Sequence, residues 1–213
     1  NLLNFALYIN LPLLFVLVFF VICIFSNTVP VWVANSLTNY FSIDIIEKQH
    51  SFTFLDKISL IAITSLYIGA MGTGAGHELT HRKKNPFDMF VGNWLLALSW
   101  DCSFAIEHVY GHHKNVCLSN DPATAKRGEN IYTFILNAII QTQKDAWSIE
   151  IDRLQRRGHI FFTFHNKMLI GYLRSIAITI LAYLVGGIVG MCFYLLCAFI
   201  GKSLLEVINY TEH

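Results

Sequence analysis

The chain alternates between long apolar runs and polar segments that carry nearly all of its charge. A helix needs about 20 apolar residues to cross a hydrocarbon core of about 30 Å. Residues 5–25 and 58–76 meet that length. Residues 168–200 are apolar for long enough to cross twice, with Gly186, Gly187 and Gly190 near the middle. One continuous helix there would overshoot the bilayer, so the pattern predicts a hairpin with spans over 168–185 and 189–208. Residues 26–54, rich in Asn, Ser and Thr, read as an extramembrane loop. The run 87–106 is also apolar, and hydropathy alone leaves its placement open.

Composition supports the membrane reading. Of 213 residues 54% are hydrophobic and 14% charged, where a soluble domain carries about a quarter charged residues. The predicted fold is an all-α integral membrane bundle, with residues 1–213 as one catalytic domain. A net charge of +1 gives no reason to expect a nucleic-acid partner. The five cysteines form no C-x-x-C pair and read as small buried hydrophobes. Twelve of the fifteen Lys and Arg residues fall between Arg82 and Arg174, while the 26–54 segment holds only Lys48. The positive-inside rule then places 77–167 on the cytoplasmic side and 26–54 opposite.

Six of the nine histidines fall into three clusters. His77-Glu-Leu-Thr-His81 has two imidazoles at i and i+4, on one face of a helix. Glu107-His108-Val-Tyr-Gly111-His112-His113 repeats that spacing at His108 and His112, and His113 adds a third ring one step round. His213 follows Asn209-Tyr-Thr-Glu212. H-E-x-x-H is also the zinc-protease signature, but one tetrahedral zinc does not need so many imidazoles, and two metals suit them better. Ionisable groups beside membrane spans are costly and usually functional. The isolated His50, His159 and His165 are given no metal role. If both boxes serve one cluster they lie close together. A full crossing by 87–106 would separate them by about 30 Å, so that run is expected to be interfacial or re-entrant.

At these residues the chain resembles the membrane alkane 1-monooxygenases (AlkB-type alkane hydroxylases) of the fatty acid desaturase-like superfamily. His77–Lys83 matches a box of the form H-E-L-x-H-[KR]-K, and Glu107–His113 matches E-H-x-x-G-H-H. Asp121-Pro-Ala-Thr-Ala-Lys-Arg-Gly-Glu129 resembles a D-P-A-[ST] stretch, and Asn209–His213 matches the start of N-Y-x-E-H-Y-G. A further box resembling L-Q-R-H-x-x-H-H is expected after His213, and further helices before residue 1, so the chain is read as a fragment.

The resemblance implies terminal hydroxylation of alkanes to primary alcohols, with O2 as co-substrate and two non-haem irons. The implied ligands are His77, His81, His108, His112, His113 and His213. Glu78, Glu107 and Glu212 adjoin them as catalytic carboxylates that orient imidazoles or ligate directly. The resemblance also implies rubredoxin as electron donor, reduced by an NADH-dependent reductase, in a bacterial inner membrane. Arg82, Lys83, Lys84, Lys126 and Arg127 are candidates to dock an acidic donor, and ordinary positive-inside topology explains them equally well. Trp94, Trp100 and Phe104 read as packing or interface aromatics in preference to the walls of a substrate channel. Gly69, Gly72, Gly74 and Gly76 read as close helix packing. The same boxes leave open a xylene-type methyl hydroxylase or a lipid desaturase.

Overall fold

A computed structural model describes residues 2–26, 28–118 and 120–212, so the predicted ligand His213 lies outside the described residues. Every regular element among them is helical. Three helices are long and apolar enough to cross a membrane: Leu2–Phe25, Phe54–His81 and Lys167–Glu212.

Helix α1 (Leu2–Phe25) leads into two short helices, α2 (Val31–Phe41) and α3 (Ile45–Ser51). The 26–54 segment is therefore mostly helical, where composition predicted a loop. Local capping explains α3. The Asp44 carboxylate accepts from the backbone N–H groups of Ile46 and Glu47 and starts α3. Gln49 then donates to the carbonyls of Cys23 and Ser26, at 2.6 and 2.8 Å, and ties α3 to the end of α1.

Helix α4 (Phe54–Tyr67) begins with a reciprocal Thr53–Asp56 capping box. It runs through a π-helical stretch, Ile68–Thr73, into α5 (Gly74–His81). After a turn, Pro86 opens α6 (Pro86–Leu98), with the Asn85 side chain accepting from Phe87 and Asp88. At 13 residues α6 spans about 20 Å, too short to cross. It packs on α5, where a Cβ at Gly76 would meet Leu96 at 3.0 Å and one at Gly92 would meet Leu79 at 3.0 Å. The chain then turns into α7 (Phe104–Glu107), a second π-helical turn (His108–His112) and α8 (His113–Asn115). Helix α9 (Ile131–Arg156) is long but polar, and α10 covers Lys167–Glu212.

Helix α10 reverses direction at Gly187, whose φ of 59° and ψ of −164° are open only to glycine. The contacts on either side of the kink establish the reversal. A Cβ on Gly171 would collide with Cys102, and Lys202 pairs with Asp101 at 2.9 Å. A continuous helix would hold Gly171 and Lys202 roughly 45 Å apart. Likewise the Ser175 hydroxyl donates to the Ala97 carbonyl and the Tyr194 hydroxyl to the neighbouring Leu98 carbonyl. Close approach elsewhere also uses glycine. Gly186 and Gly190 form the notch that receives Ile22, and a Cβ on Gly69 would lie 2.8 Å from the Gly201 carbonyl oxygen. Gly74 differs from its neighbours, because nothing lies within 4 Å of a Cβ there. Two of the cysteines depart from the buried reading: Cys117 and Cys192 are exposed, while Cys23, Cys102 and Cys197 are buried.

Candidate metal centre

Helix α5 delivers His77 and His81 one turn apart on one face. The α7 segment supplies the opposing imidazoles, and here the backbone changes the geometry. A π-helical turn closes i→i+5 hydrogen bonds in place of i→i+4, so residues five apart come into line. Across His108–His112 this brings His113 under His108, with their Nε2 atoms 2.9 Å apart. The Nε2 of His108 also lies 3.0 Å from that of His77. One ligand nitrogen from each of His77, His81, His108 and His113 lies within 4.8 Å of all the others. Spacing alone paired His108 with His112; the structure pairs it with His113.

These nitrogens fit a shared cation. A single proton can bridge only one pair of lone pairs, and here three Nε2 atoms converge. Burial, with His77 and His113 beside it, pushes the His108 pKa down to about 2, so this ring stays neutral, as a ligand must be. Burial, then the neighbouring His81, also lowers the pKa of His113. At a metal–nitrogen distance of about 2.1 Å, ligands at right angles sit about 3.0 Å apart and tetrahedral ones about 3.4 Å. The observed 2.9 and 3.0 Å are short enough for one ion to be shared between these nitrogens. Phe104 stacks on His108 at 4.4 Å and 12°, fixing the ring's plane from behind. The other side is open, with His81 and His113 exposed.

His112 faces elsewhere. Its Nδ1 lies 2.9 Å from Asp121 Oδ2, and both side chains are almost wholly buried. The Asp121 carboxylate also accepts from the Ala123 N–H and the Thr124 hydroxyl, so its position is fixed by the Asp-Pro-Ala-Thr loop itself. With Nδ1–H donating to Asp121, the Nε2 of His112 carries the lone pair, the arrangement that orients a metal-binding imidazole. His112 borders a cavity of about 20 Å³ shared with Glu107, Glu206 and Asn209. Glu107 is buried there, and its Oε1 has no hydrogen-bond partner among the described residues. Burial, with Asp121 and Asp145 nearby, raises its pKa to about 8. Gly111 leaves the room Glu107 occupies, since a Cβ at that position would collide with the carboxylate.

The other predicted residues divide. Glu78 turns away from the imidazoles and pairs with Arg82 at 2.8 Å. Arg82 also donates to Asn4 at 2.8 Å and so is committed within the fold. Glu212 is exposed at the end of α10. Lys83 lies 3.7 Å above the Tyr110 ring, while Lys84, Lys126 and Arg127 are exposed. Asp121, Asp101, Lys202 and Glu206 were not singled out from sequence. Asp121 lay inside a quoted motif without a role, whereas Lys202 and Glu206 stood as charges within an apolar run, itself a signal of function. Lys202 and Asp101 form a buried ion pair, and Ser103, Gln143 and Tyr172 extend it to α9. The tip of α10 is latched in turn, because Tyr210 donates to the Glu129 carbonyl at 2.6 Å and Asn209 to Glu206 at 3.0 Å.

A helical membrane bundle that gathers histidines at the end of its spans defines a class, and comparison with known proteins agrees. Residues 53–213 match the fatty acid desaturase family, and the chain belongs to that family. Within it, the chain is 34% identical over 160 residues to alkane 1-monooxygenase 1 of Pseudomonas aeruginosa, covering 75% of this chain and 42% of that protein. It is 32% identical over 177 residues to alkane 1-monooxygenase of Acinetobacter baylyi, covering 83% and 43%. It is also 30% identical over 138 residues to the xylene/toluene monooxygenase hydroxylase component of Pseudomonas putida, covering 64% and 37%. The resemblance to alkane hydroxylases read from the motifs therefore holds. The chain spans less than half the length of these relatives.

Proposed function

We propose that this chain carries part of the metal centre of an O2-dependent alkane hydroxylase that converts alkanes to primary alcohols. The observation that carries the reading is the convergence of His77, His81, His108 and His113, in a chain similar along most of its length to alkane 1-monooxygenases. The centre takes two non-haem irons, held by these four, by His112 and by His213. Bound iron supplies the O2 reduction and C–H oxidation that no side chain can perform.

The protein's own part is positional. Phe104 and the π-helical turn fix the His108 ring, Asp121 sets the tautomer of His112, and the apolar spans exclude water from one side of the site. Glu107, whose pKa burial raises to about 8, holds a proton at the small cavity that His112 also borders. The site faces the cytoplasm, as the concentration of Lys and Arg between Arg82 and Arg174 supports. The electron donor is a rubredoxin, approaching the exposed Lys84, Lys126 and Arg127.

The test supplies the full-length protein with rubredoxin, reductase, NADH and octane. Formation of 1-octanol and two irons per chain are expected. One zinc per chain with no iron would sink the reading. Similarity to the xylene/toluene hydroxylase component favours a second substrate class, so p-xylene belongs in the same assay.

A further inference from the structure

Most cations in the buried and half-buried parts of this fold have a carboxylate. Arg82 has Glu78, Arg153 has Glu150 and Lys202 has Asp101. Arg174 breaks that pattern, and the exposed Lys83 and Lys167 converge with it on one pocket. Lys83, Lys167 and Arg174 line a cavity of about 340 Å³ whose remaining walls include Met89, Ile106 and Ile170, and no carboxylate lines it. Lys167, Ile170 and Arg174 recur at i, i+3 and i+7, so one stripe of α10 faces the pocket. Arg174 lies about 10 Å along that helix from Lys167, within an apolar membrane-length segment. No ion pair or hydrogen bond is formed by its guanidinium among the described residues. A cation at that depth is costly without a counter-charge, and a long side chain reaches toward the interface to find one.

The surroundings indicate where that counter-charge comes from. The loop leading into Lys167 presents Phe162 and Phe164 at 79% and 90% exposure, and α6 presents Phe87 and Phe90 beside the pocket residue Met89. Exposed aromatics on the segments that carry Met89 and Lys167, together with a basic pocket, are the pattern of a membrane–water interface. We propose that this pocket binds the phosphate of an anionic glycerophospholipid, with the head group between Lys83, Lys167 and Arg174 and the start of an acyl chain along Met89, Ile106 and Ile170. The site adjoins the second histidine box through Ile106 and Tyr110, so a bound lipid would brace the segment that carries His108 and His113. The proposal stands independently of the hydroxylase reading.

Native mass spectrometry of the detergent-purified protein tests it, titrating phosphatidylglycerol against phosphatidylcholine of equal chain length. Selective phosphatidylglycerol adducts are expected. Replacing two cations, in Lys167→Gln/Arg174→Gln, should weaken them roughly 30-fold and leave phosphatidylcholine unchanged. Arg174→Lys should retain most of the binding. Should the double variant not fold, Lys167→Gln alone, at an exposed position, should cost about fivefold. Equal binding of the two lipids would overturn the proposal, as would unchanged phosphatidylglycerol binding by the variants. Inorganic phosphate that displaces the lipid at equal concentration would mark a free-anion site and also overturn it.

Discussion

Asp121 accepts from Nδ1 of His112 across 2.9 Å, with both side chains almost wholly buried. A carboxylate outside the histidine motifs therefore decides which nitrogen of His112 faces a ligand. Asp121→Asn keeps the shape but presents an amide that can also donate, so the wrong tautomer becomes accessible. Loss of an orienting partner of this kind costs 10- to 100-fold in metal affinity. Iron titration of the metal-free protein should show a loss in that range, with the helical circular dichroism unchanged. An unaltered affinity would remove Asp121 from the site.

His113→Ala should lower metal retention as much as His108→Ala, because the π-helical turn puts both nitrogens on the same centre. Elemental analysis of the purified variants checks this. Full metal content in His113→Ala would mean that the i, i+4 pairing of His108 with His112 is the working one.

Lys202→Met should be strongly destabilising, because it leaves the Asp101 carboxylate buried without its partner. Breaking one side of a buried pair costs about 3–5 kcal/mol. The double variant Lys202→Met/Asp101→Asn should recover part of that loss, since no unpaired charge remains. Unfolding of the three proteins in detergent, followed by circular dichroism, would reveal the pattern. A double variant no better than the single would show that the pair's hydrogen bonds to the 99–103 turn matter more than its charge.

Through His108, acid should destabilise the metal-free protein. Burial, then His77 and His113, lowers the folded pKa of His108 to about 2, against about 6.5 when unfolded. Below about pH 6.5 the unfolded chain therefore binds a proton that the folded chain refuses, and stability falls as pH drops toward 2. Metal release should follow the same direction, since protons compete for the imidazoles that do titrate. Glu107, with its folded pKa raised to about 8 by burial, is stabilising over the same acid window, so the melting temperature is read relative to His108→Gln between pH 8 and 5 in chelator, where the Glu107 contribution cancels. A rise on acidification relative to that variant would contradict the prediction.

The apolar runs, the glycine-broken reversal and the histidine boxes were legible in the sequence because each is a local matter of helix length, glycine conformation or residue spacing. The membrane class and the family likeness followed from them. Three features were decided only by tertiary structure. The π-helical turn exchanged His112 for His113 beside His108, because side-chain spacing reports ligand pairing only if the helix keeps its usual period. Within the 26–54 segment, α3 formed through the cap at Asp44 and through Gln49 holding the end of α1, interactions too local and polar to register in a hydropathy pattern. Asp101 and Lys202 acquired partners about a hundred residues away and Asp121 one across a loop, and a buried carboxylate looks no different in sequence from an exposed one until the fold supplies the His or Lys that makes its burial tolerable.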